Sequence, residues 1–411
     1  MFTNLIILYP LIMTMFWIIG SIFYQMQTHR RYPPFVDEQP DGVSILVPCF
    51  NEQEHLERTF ESLVTQQHKN IEIILIDDAS TDHTLSIMHN LRQKYPRFNV
   101  KIVSQPENFG KATAMNAGIQ HAQFNYVLGI DADSIIDSNA IDQLVFSLKQ
   151  NPQMGGVTGR PQVINRDKLV EKMQSMEYTA IIDLIKRSQT FFTGNILTIS
   201  GVIAMFRKDA VLSINGWNPN VQTEDIDITW RLSQKGFSVG YNPKALTWIL
   251  VPSTFRSLLK QRRRWAYGGL QMLLSNKIQL LKPFQMKSLL LYEMILSIFW
   301  SFTTVFSIVF FFVNIYLAQE LHLDGNIILM IILMGLIQFL VGLKINQKTS
   351  QIRWFIYLYI PLYLFYYWTI NLYALITSVF KMVYMPDNNG KWVSPQRIIN
   401  NKEVSSNAGE N

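Results

Sequence analysis

The sequence predicts an α/β domain, its parallel sheet covered by helices on both faces, joined to α-helical transmembrane segments. Two observations carry this. Continuous apolar runs alternate with helical patterns from Val43 to Gln150, and charge is spread very unevenly along the 411 residues. Charged side chains make up 16% of the chain, against roughly 25% in an average soluble protein. Residues 1–24 and 290–380 hold only six of them: Glu293, Glu320, Asp324, Lys344, Lys348 and Arg353. Residues 25–289 hold 53, a density near the soluble norm in a segment long enough to bury a full core.

A bilayer core of roughly 30 Å takes about 20 helical residues to cross. Four uncharged stretches reach that length: Leu5 to Tyr24, Met294 to Leu317, Gly325 to Leu343 and Trp354 to Phe380, with Pro361 expected to kink the last. The first has no basic start, runs too long for a secretory signal and shows no small-residue cleavage site, so it reads as a retained anchor. His29, Arg30 and Arg31 follow it, and Lys344, Lys348 and Arg353 separate the third and fourth stretches, whereas Glu320 and Asp324 sit between the second and third. Basic loops stay on the cytoplasmic side. The expected organisation is therefore a four-span cell-membrane protein with a cytoplasmic central domain. Its parts are an anchor (1–24), the central domain (43–252), catalytic and interfacial helices (253–289), three spans (290–380) and a tail (381–411).

After a proline-rich linker from Tyr32 to Gly42, strands are expected at Val43 to Val47, Ile71 to Ile76, Val100 to Val103 and Tyr126 to Ile130. Helices are expected between and after them, at Glu52 to Gln66, Thr81 to Tyr95, Gly110 to His121 and Asn139 to Gln150. Apolar strands alternating with helices imply a parallel sheet. Ligands of such sheets bind beyond the carboxyl ends of the strands.

Several function classes drop out. The single cysteine, Cys49, excludes an intramolecular disulfide and reads as a small core residue. Neither a dinucleotide-binding glycine motif nor a P-loop occurs, and the seven histidines show no zinc spacing. The net charge of +6 does not point to nucleic acid, because its source is one acid-free stretch between Asp227 and Glu293 that leads into a membrane span. An anionic lipid surface or an anionic substrate explains that stretch better.

The strand-end loops hold the carboxylates. Asp77 and Asp78 close the second strand, followed by Ser80, Thr81 and Asp82, which suit helix capping. Asp131 and Asp133 follow the fourth strand, and residues two apart at a strand end project to one side. Two hard oxygens there suit Mg²⁺ or Mn²⁺, which take one or two carboxylates plus substrate phosphates. Thr223-Glu224-Asp225 opens a helical pattern, where Asp225 serves either as a cap or in chemistry. Gln261-Arg262-Arg263-Arg264-Trp265 lies in a helix expected from Phe255 to Leu274, and some of its arginines suit a basic face resting on lipid.

In order and spacing these residues resemble the motifs of the processive glycosyltransferases of family 2: Asp, Asp-x-Asp, Thr-Glu-Asp and Gln-x-x-Arg-Trp. Val47 to Glu52 and Glu107 to Ala112 look like further parts of that pattern. The resemblance covers about residues 43–285 and implies a GT-A fold, that of the nucleotide-diphospho-sugar transferases. Within the family the chain looks most like the bacterial branch that polymerises N-acetylglucosamine through β-1,6 bonds for biofilm. The hyaluronan and chitin types remain open, as does a transferase that adds one sugar to a lipid; from another class, so does a transporter.

The resemblance also implies partners and roles. The donor would be UDP-N-acetylglucosamine and the acceptor the growing glycan. Asp77 or Asp78 would bind the uridine and Lys111 the nucleotide, although Lys111 also suits a solvated helix start. Asp131 and Asp133 would hold the metal on the diphosphate, and Arg264 would stabilise the leaving diphosphate. Trp265 and Gln261 would meet the acceptor sugar, and Asp225 would be the general base. Membrane lipid and a small membrane accessory subunit are the other expected partners.

Overall fold

The computed structural model describes residues 2–31, 41–276, 286–318, 325–347, 349 and 359–385. The linker from 32 to 40, most of the stretch from Ser275 to Lys287, the loop carrying Glu320 and Asp324, and the tail after 385 lie outside them.

Helix α1 (Phe2–Arg31) precedes the domain. Then come β1 (Val43–Cys49), α2 (Leu56–Val64), β2 (Ile71–Asp77), α3 (Thr84–Lys94), β3 (Asn99–Ser104), α4 (Lys111–His121) and β4 (Tyr126–Ile130). Every residue of β1, β2 and β4 is buried, as their unbroken apolar runs require. The period of two sends successive side chains to opposite faces. Ile45 and Val47 pack with Phe60 and Leu63 of α2 on one face, while Leu46 packs with Met115 and Ile119 of α4 on the other.

The second half comprises β5 (Ile135–Ile136), α5 (Ala140–Gln150), β6 (Met154–Val163), α6 (Leu169–Glu177), a π-helical turn (Tyr178–Ile182) and α7 (Asp183–Thr193). It continues with β7 (Ile203–Arg207), α8 (Lys208–Leu212), α9 (Glu224–Gln234), β8 (Ser238–Ile249) and α10 (Phe255–Ser275). One eight-stranded sheet results, in the order β3-β2-β1-β4-β7-β6-β8-β5.

The expectation of a parallel sheet holds for β1 to β4 and for the β6–β8 pair, but the sheet as a whole is mixed. β7 runs antiparallel to both β4 and β6, and β5 antiparallel to β8. The cause is the point of entry: Ile203, the first residue of β7, pairs with Ile130, the last of β4, so the chain must run backwards along it. That reversal delivers the turn before β7 to the carboxyl end of β4.

Three long helices follow, α11 (Met286–Ala318), α12 (Gly325–Ile345) and α13 (Ile360–Tyr384). Among the described residues two helices are long and apolar enough to cross a membrane, Leu8–Thr28 within α1 and Ser288–Phe310 within α11. Among the described residues the apolar part of α12 runs Ile332–Ile345. Pro361 does not kink a span; it sits in the first turn of α13, where its missing N–H costs nothing.

α1 and α12 are tied to the domain through α7 and the π-helical turn. A Cβ on Gly20 of α1 would lie 2.4 Å from Ser188 Oγ, and the Phe16 and Phe192 rings stack at 4.4 Å. The Tyr24 hydroxyl donates to the Tyr241 carbonyl at 2.6 Å. Beyond the end of α12, the Asn346 side-chain amide donates to Asp183 at 2.7 Å and to the Thr179 carbonyl at 2.8 Å, and Arg160 donates to Asn346 Oδ1.

Glu72 links three strands at the other end of the sheet. Its carboxylate accepts from Ser44 at 2.5 Å and the Gln123 amide at 2.6 Å, and pairs with Lys101 at 2.8 Å. Burial works against its charge, but these partners hold it below the usual glutamate range. A depressed carboxylate stabilises the fold above its unfolded value, near pH 4.3, and this contribution is lost as pH falls through the folded value. Glu72→Gln should therefore lower the melting temperature at pH 7, with the gap to wild type closing below about pH 4; thermal unfolding across pH checks this.

Candidate active site

The carboxyl ends of β1, β2 and β4 open onto one crevice. At the end of β2, Asp77 Oδ1 accepts the Ser80 amide at 3.2 Å. Asp78 is fully buried and spends both oxygens on backbone, accepting the Phe109 amide at 3.0 Å and the Gly110 amide at 2.8 Å. Burial nonetheless raises its pKa, the two amides opposing the rise. Asp78 is thus a clamp on the loop entering α4, where Gly110 adopts φ 90°, a conformation glycine takes without steric cost. Of Ser80, Thr81 and Asp82 only Asp82 reaches α3, its Oδ1 accepting the Thr84 amide at 2.9 Å; the cap position itself is His83, and the Ser80 and Thr81 side chains bond Asn51 instead.

Lys111 is the first residue of α4, and it is not solvated. Its ammonium donates to Asp131 Oδ1 at 2.6 Å and to the Gly201 carbonyl at 3.1 Å, and pairs with Glu224 Oε1 at 3.1 Å. Burial opposes its charge, but Asp131, Glu224 and Asp225 outweigh that and raise its pKa. The strand-alternation argument for Asp131 and Asp133 fails, because the strand stops at Ile130. The Ser134 amide bonds back to the Asp131 carbonyl at 3.0 Å, forming a turn. Asp131 is partly exposed and Asp133 is 7% exposed.

Thr223 precedes α9, so Glu224 and Asp225 occupy its first turn, where free backbone amides favour anions. Asp225 Oδ1 accepts its neighbour's amide, Ile226, at 2.9 Å, and Oδ2 accepts the Gly201 amide at 3.3 Å. Two adjacent acids are driven apart electrostatically. Burial raises Glu224, yet Lys111 and Arg264 pull it below the usual range. Burial and then the Glu224 charge push Asp225 up to about 6, against Lys111 and Arg264. A carboxylate with a raised pKa and a charged partner in a cleft suits proton transfer. Met115, Phe206 and Trp217 line the apolar end of the same cavity, while Lys111, Glu224 and Asp225 line its polar end.

α10 brings the last group. Arg264 is exposed, and its charge reaches both acids of α9. Gln261 Oε1 is buried with no hydrogen-bond partner among the described residues. Trp265 carries the Arg262 guanidinium over its ring at 4.3 Å and packs against a cluster containing Val163 and Tyr178. Arg262 itself is not on a lipid-facing surface; it is buried and paired with Glu177 of α6 at 2.8 Å.

Sequence reasoning missed Glu177, Ser200 and Gly201 as parts of this site. No spacing could have exposed Glu177, which lies 85 positions before its partner. For Gly201 the signal is steric: an added Cβ would sit 3.2 Å from Lys111 Nζ and 3.4 Å from Asp225 Oδ2.

Asp78→Asn puts an amide N–H₂ against one of two backbone N–H groups and leaves that donor unsatisfied. The variant should lose about 1–3 kcal/mol of stability, read as a lowered melting temperature together with faster proteolysis in the loop before Lys111.

Comparison with known proteins agrees with this geometry. A family model described as "Glycosyltransferase like family 2" matches residues 40–268. Over 408 residues the chain is 32% identical to a poly-beta-1,6-N-acetyl-D-glucosamine synthase of Staphylococcus epidermidis, covering 96% of this chain and 98% of that one. A synthase of the same name from Staphylococcus aureus is 36% identical over 305 residues, 73% of each chain. The solved mannosyltransferase PcManGT from Pyrobaculum calidifontis, in complex with GDP-Man and Mn²⁺, superposes with a TM-score of 0.62 at 17% identity, over 93% of this chain and 99% of that chain; it shares the fold. With a GT-A-like mixed sheet, a matching family model and relatives along nearly its whole length, the chain belongs to glycosyltransferase family 2 and is a hexosyltransferase.

Proposed function

We propose that this hexosyltransferase is a membrane-embedded processive synthase, which extends a poly-β-1,6-N-acetylglucosamine chain from UDP-N-acetylglucosamine. The observation that carries the reading is the convergence of Asp131, Lys111, Glu224, Asp225 and Arg264 on one crevice at the carboxyl ends of the strands. The names of the relatives supply the sugar and the linkage.

The transfer is a single displacement. An acceptor hydroxyl oxygen bonds to the anomeric carbon of the donor while the bond from that carbon to the diphosphate breaks. The electron pair leaves on the diphosphate oxygen, and the hydroxyl proton passes to Asp225. One displacement inverts an α-linked donor to a β-linked product. Asp225, with its raised pKa, keeps the basicity that general-base work at neutral pH needs. Arg264 and Lys111 face the leaving diphosphate with fixed positive charge, which counts for more in a site shielded from water.

No cluster of three or more metal-ligating side chains exists among the described residues. Two carboxylates completed by substrate phosphates fit the habit of Mg²⁺ or Mn²⁺, which rarely take an all-protein cage. Asp131 and Asp133 are the residues that would hold such an ion. When bound it would neutralise the diphosphate. Asp77 is assigned to the uridine, because Asp78 already spends both oxygens on the loop. Gln261, whose side-chain carbonyl oxygen lacks a partner among the described residues, and Trp265 are assigned to the acceptor.

α12 and α13 are read as further spans beside α1 and α11, with the domain on the cytoplasmic side. A hydrophilic polymer cannot cross hydrocarbon unaided, so the four helices, completed by a small membrane subunit, would wall its exit.

Asp225→Asn should cut transfer by roughly 10²- to 10⁴-fold while UDP titration shows donor binding intact; near-normal turnover would sink the assignment. Because a base must be ionised, the wild-type rate should fall as pH drops through about 6. Membranes given labelled UDP-N-acetylglucosamine and Mg²⁺ should yield label in a polymer with 1→6 linkages. Label in an organic-soluble single-sugar product would favour lipid glycosylation, and 1→4 linkages a chitin-type synthase.

A further inference from the structure

α7 carries a cation that the transfer mechanism leaves unused. Lys186 is 5% exposed, donates to Ser200 Oγ at 2.6 Å and lies 5.8 Å from the centroid of the Tyr241 ring. It forms no ion pair among the described residues. A buried ammonium without a direct counter-ion is costly to keep, so the position of this one calls for a reason.

Ser200 is where that reason lies. Its amide donates to Thr158 Oγ1 at 3.1 Å, and its carbonyl accepts the Ile203 amide at 3.2 Å, closing the turn that leads into β7. The next residue, Gly201, uses both sides of its backbone on the site: its N–H bonds Asp225 Oδ2 at 3.3 Å and its carbonyl takes Lys111 Nζ at 3.1 Å. A shift of a few tenths of an ångström in this turn would move both groups. Lys186 grips the turn through the neighbouring hydroxyl.

We infer that Lys186 is a positioning residue for sugar transfer: it pins the Ser200–Gly201 turn against Asp225 and presents a buried positive charge to that carboxylate from α7. This rests on Asp225 being the base. The charged and titratable groups facing Asp225 are Glu224 on α9, Lys111 on α4, Arg264 on α10, Tyr178 of the π-helical turn and Lys186 on α7. Those facing Lys186 are Asp183 on its own helix, Tyr241 of β8 and Asp225. Burial lowers Lys186 to about 8, with Asp225 and Asp183 opposing the fall, so it is largely charged at neutral pH. A nearby cation favours the ionised carboxylate; without it, Asp225 holds its proton to higher pH.

The test is the pH profile of N-acetylglucosamine transfer by the full-length enzyme in membranes, for wild type, Lys186→Met, Lys186→Arg and Ser200→Ala. Lys186→Met should raise the midpoint of the acid limb by roughly 0.5–1 pH unit, so its deficit is larger at pH 6 than at pH 8. Lys186→Arg should restore the midpoint. Ser200→Ala keeps the charge and loses the hydrogen bond; it should lower kcat several-fold at an unmoved midpoint. UDP binding and melting temperature identify folded variants. A folded Lys186→Met with the wild-type midpoint, or Lys186→Arg shifted as far as Lys186→Met, would overturn the inference. Normal turnover by Asp225→Asn would instead remove the base reading beneath it, whatever the lysine variants do.

Discussion

Everything in the crevice depends on one enclosed ammonium. The Lys111 side chain is only 16% exposed, so the fold must bring acceptors to it, and it brings them from distant parts of the chain. Asp131 arrives 20 positions later and Gly201 90 positions later, with Glu224 and Asp225 following from the start of α9. The pairing also explains why neighbouring acids differ. Glu224 takes the salt bridge and stays ionised, and its charge makes ionisation of Asp225 harder. Two adjacent carboxyls are thereby given different affinities for a proton by the placing of Lys111 and Arg264.

The long helices outside the domain belong to this arrangement rather than sitting beside it. α10 is held on one flank by the buried Arg262–Glu177 pair and on another by α13, where the Ser378 hydroxyl donates to the Arg263 carbonyl at 3.0 Å and Lys381 lies 5.2 Å from the Tyr267 ring centroid. Arg264 is therefore aimed by packing that includes a helix beyond the domain. Asp183 performs the matching task under α12. It receives Arg187, Tyr241 and Asn346, and against burial the Arg187 and Arg160 charges and the Tyr241 hydroxyl hold its carboxyl below the usual range. A solvated surface joint would give neither constraint.

Local pattern made much of this legible. The strands were readable because β1, β2 and β4 are buried on both faces, and their helices because the intervening periods are helical. Two of the four motifs fell at the carboxyl ends of strands β2 and β4, and the other two at the start of α9 and within α10. What escaped was set by long-range geometry. The reversal of β7 depends on where the chain re-enters the sheet, which no residue in Ile203–Arg207 announces. The strand end at Ile130 was readable, but nothing in Asp-Ala-Asp signals that the chain turns there at once, closed by the Ser134 amide on the Asp131 carbonyl, so strand alternation does not govern Asp131 and Asp133. Arg262 and Arg264 are two positions apart in one basic run, yet one is buried in an ion pair and the other faces the acids. Their difference is the phase of α10 against α6 and α9, and composition does not carry phase.

The π-helical turn at Tyr178–Ile182 sets another phase. An α-helix advances about 100° per residue, and a π turn adds one residue without adding rise in proportion. The long helix from Leu169 to Thr193 therefore changes heading in its middle. Its first part directs Glu177 to α10, and its second directs Lys186 to the Ser200 turn and Ser188 to α1. A single extra residue lets one rod serve two clients, so the length of this segment is under tighter constraint than its composition. Substitutions along it would be absorbed locally, whereas a one-residue deletion would rotate every downstream side chain away from its target at once.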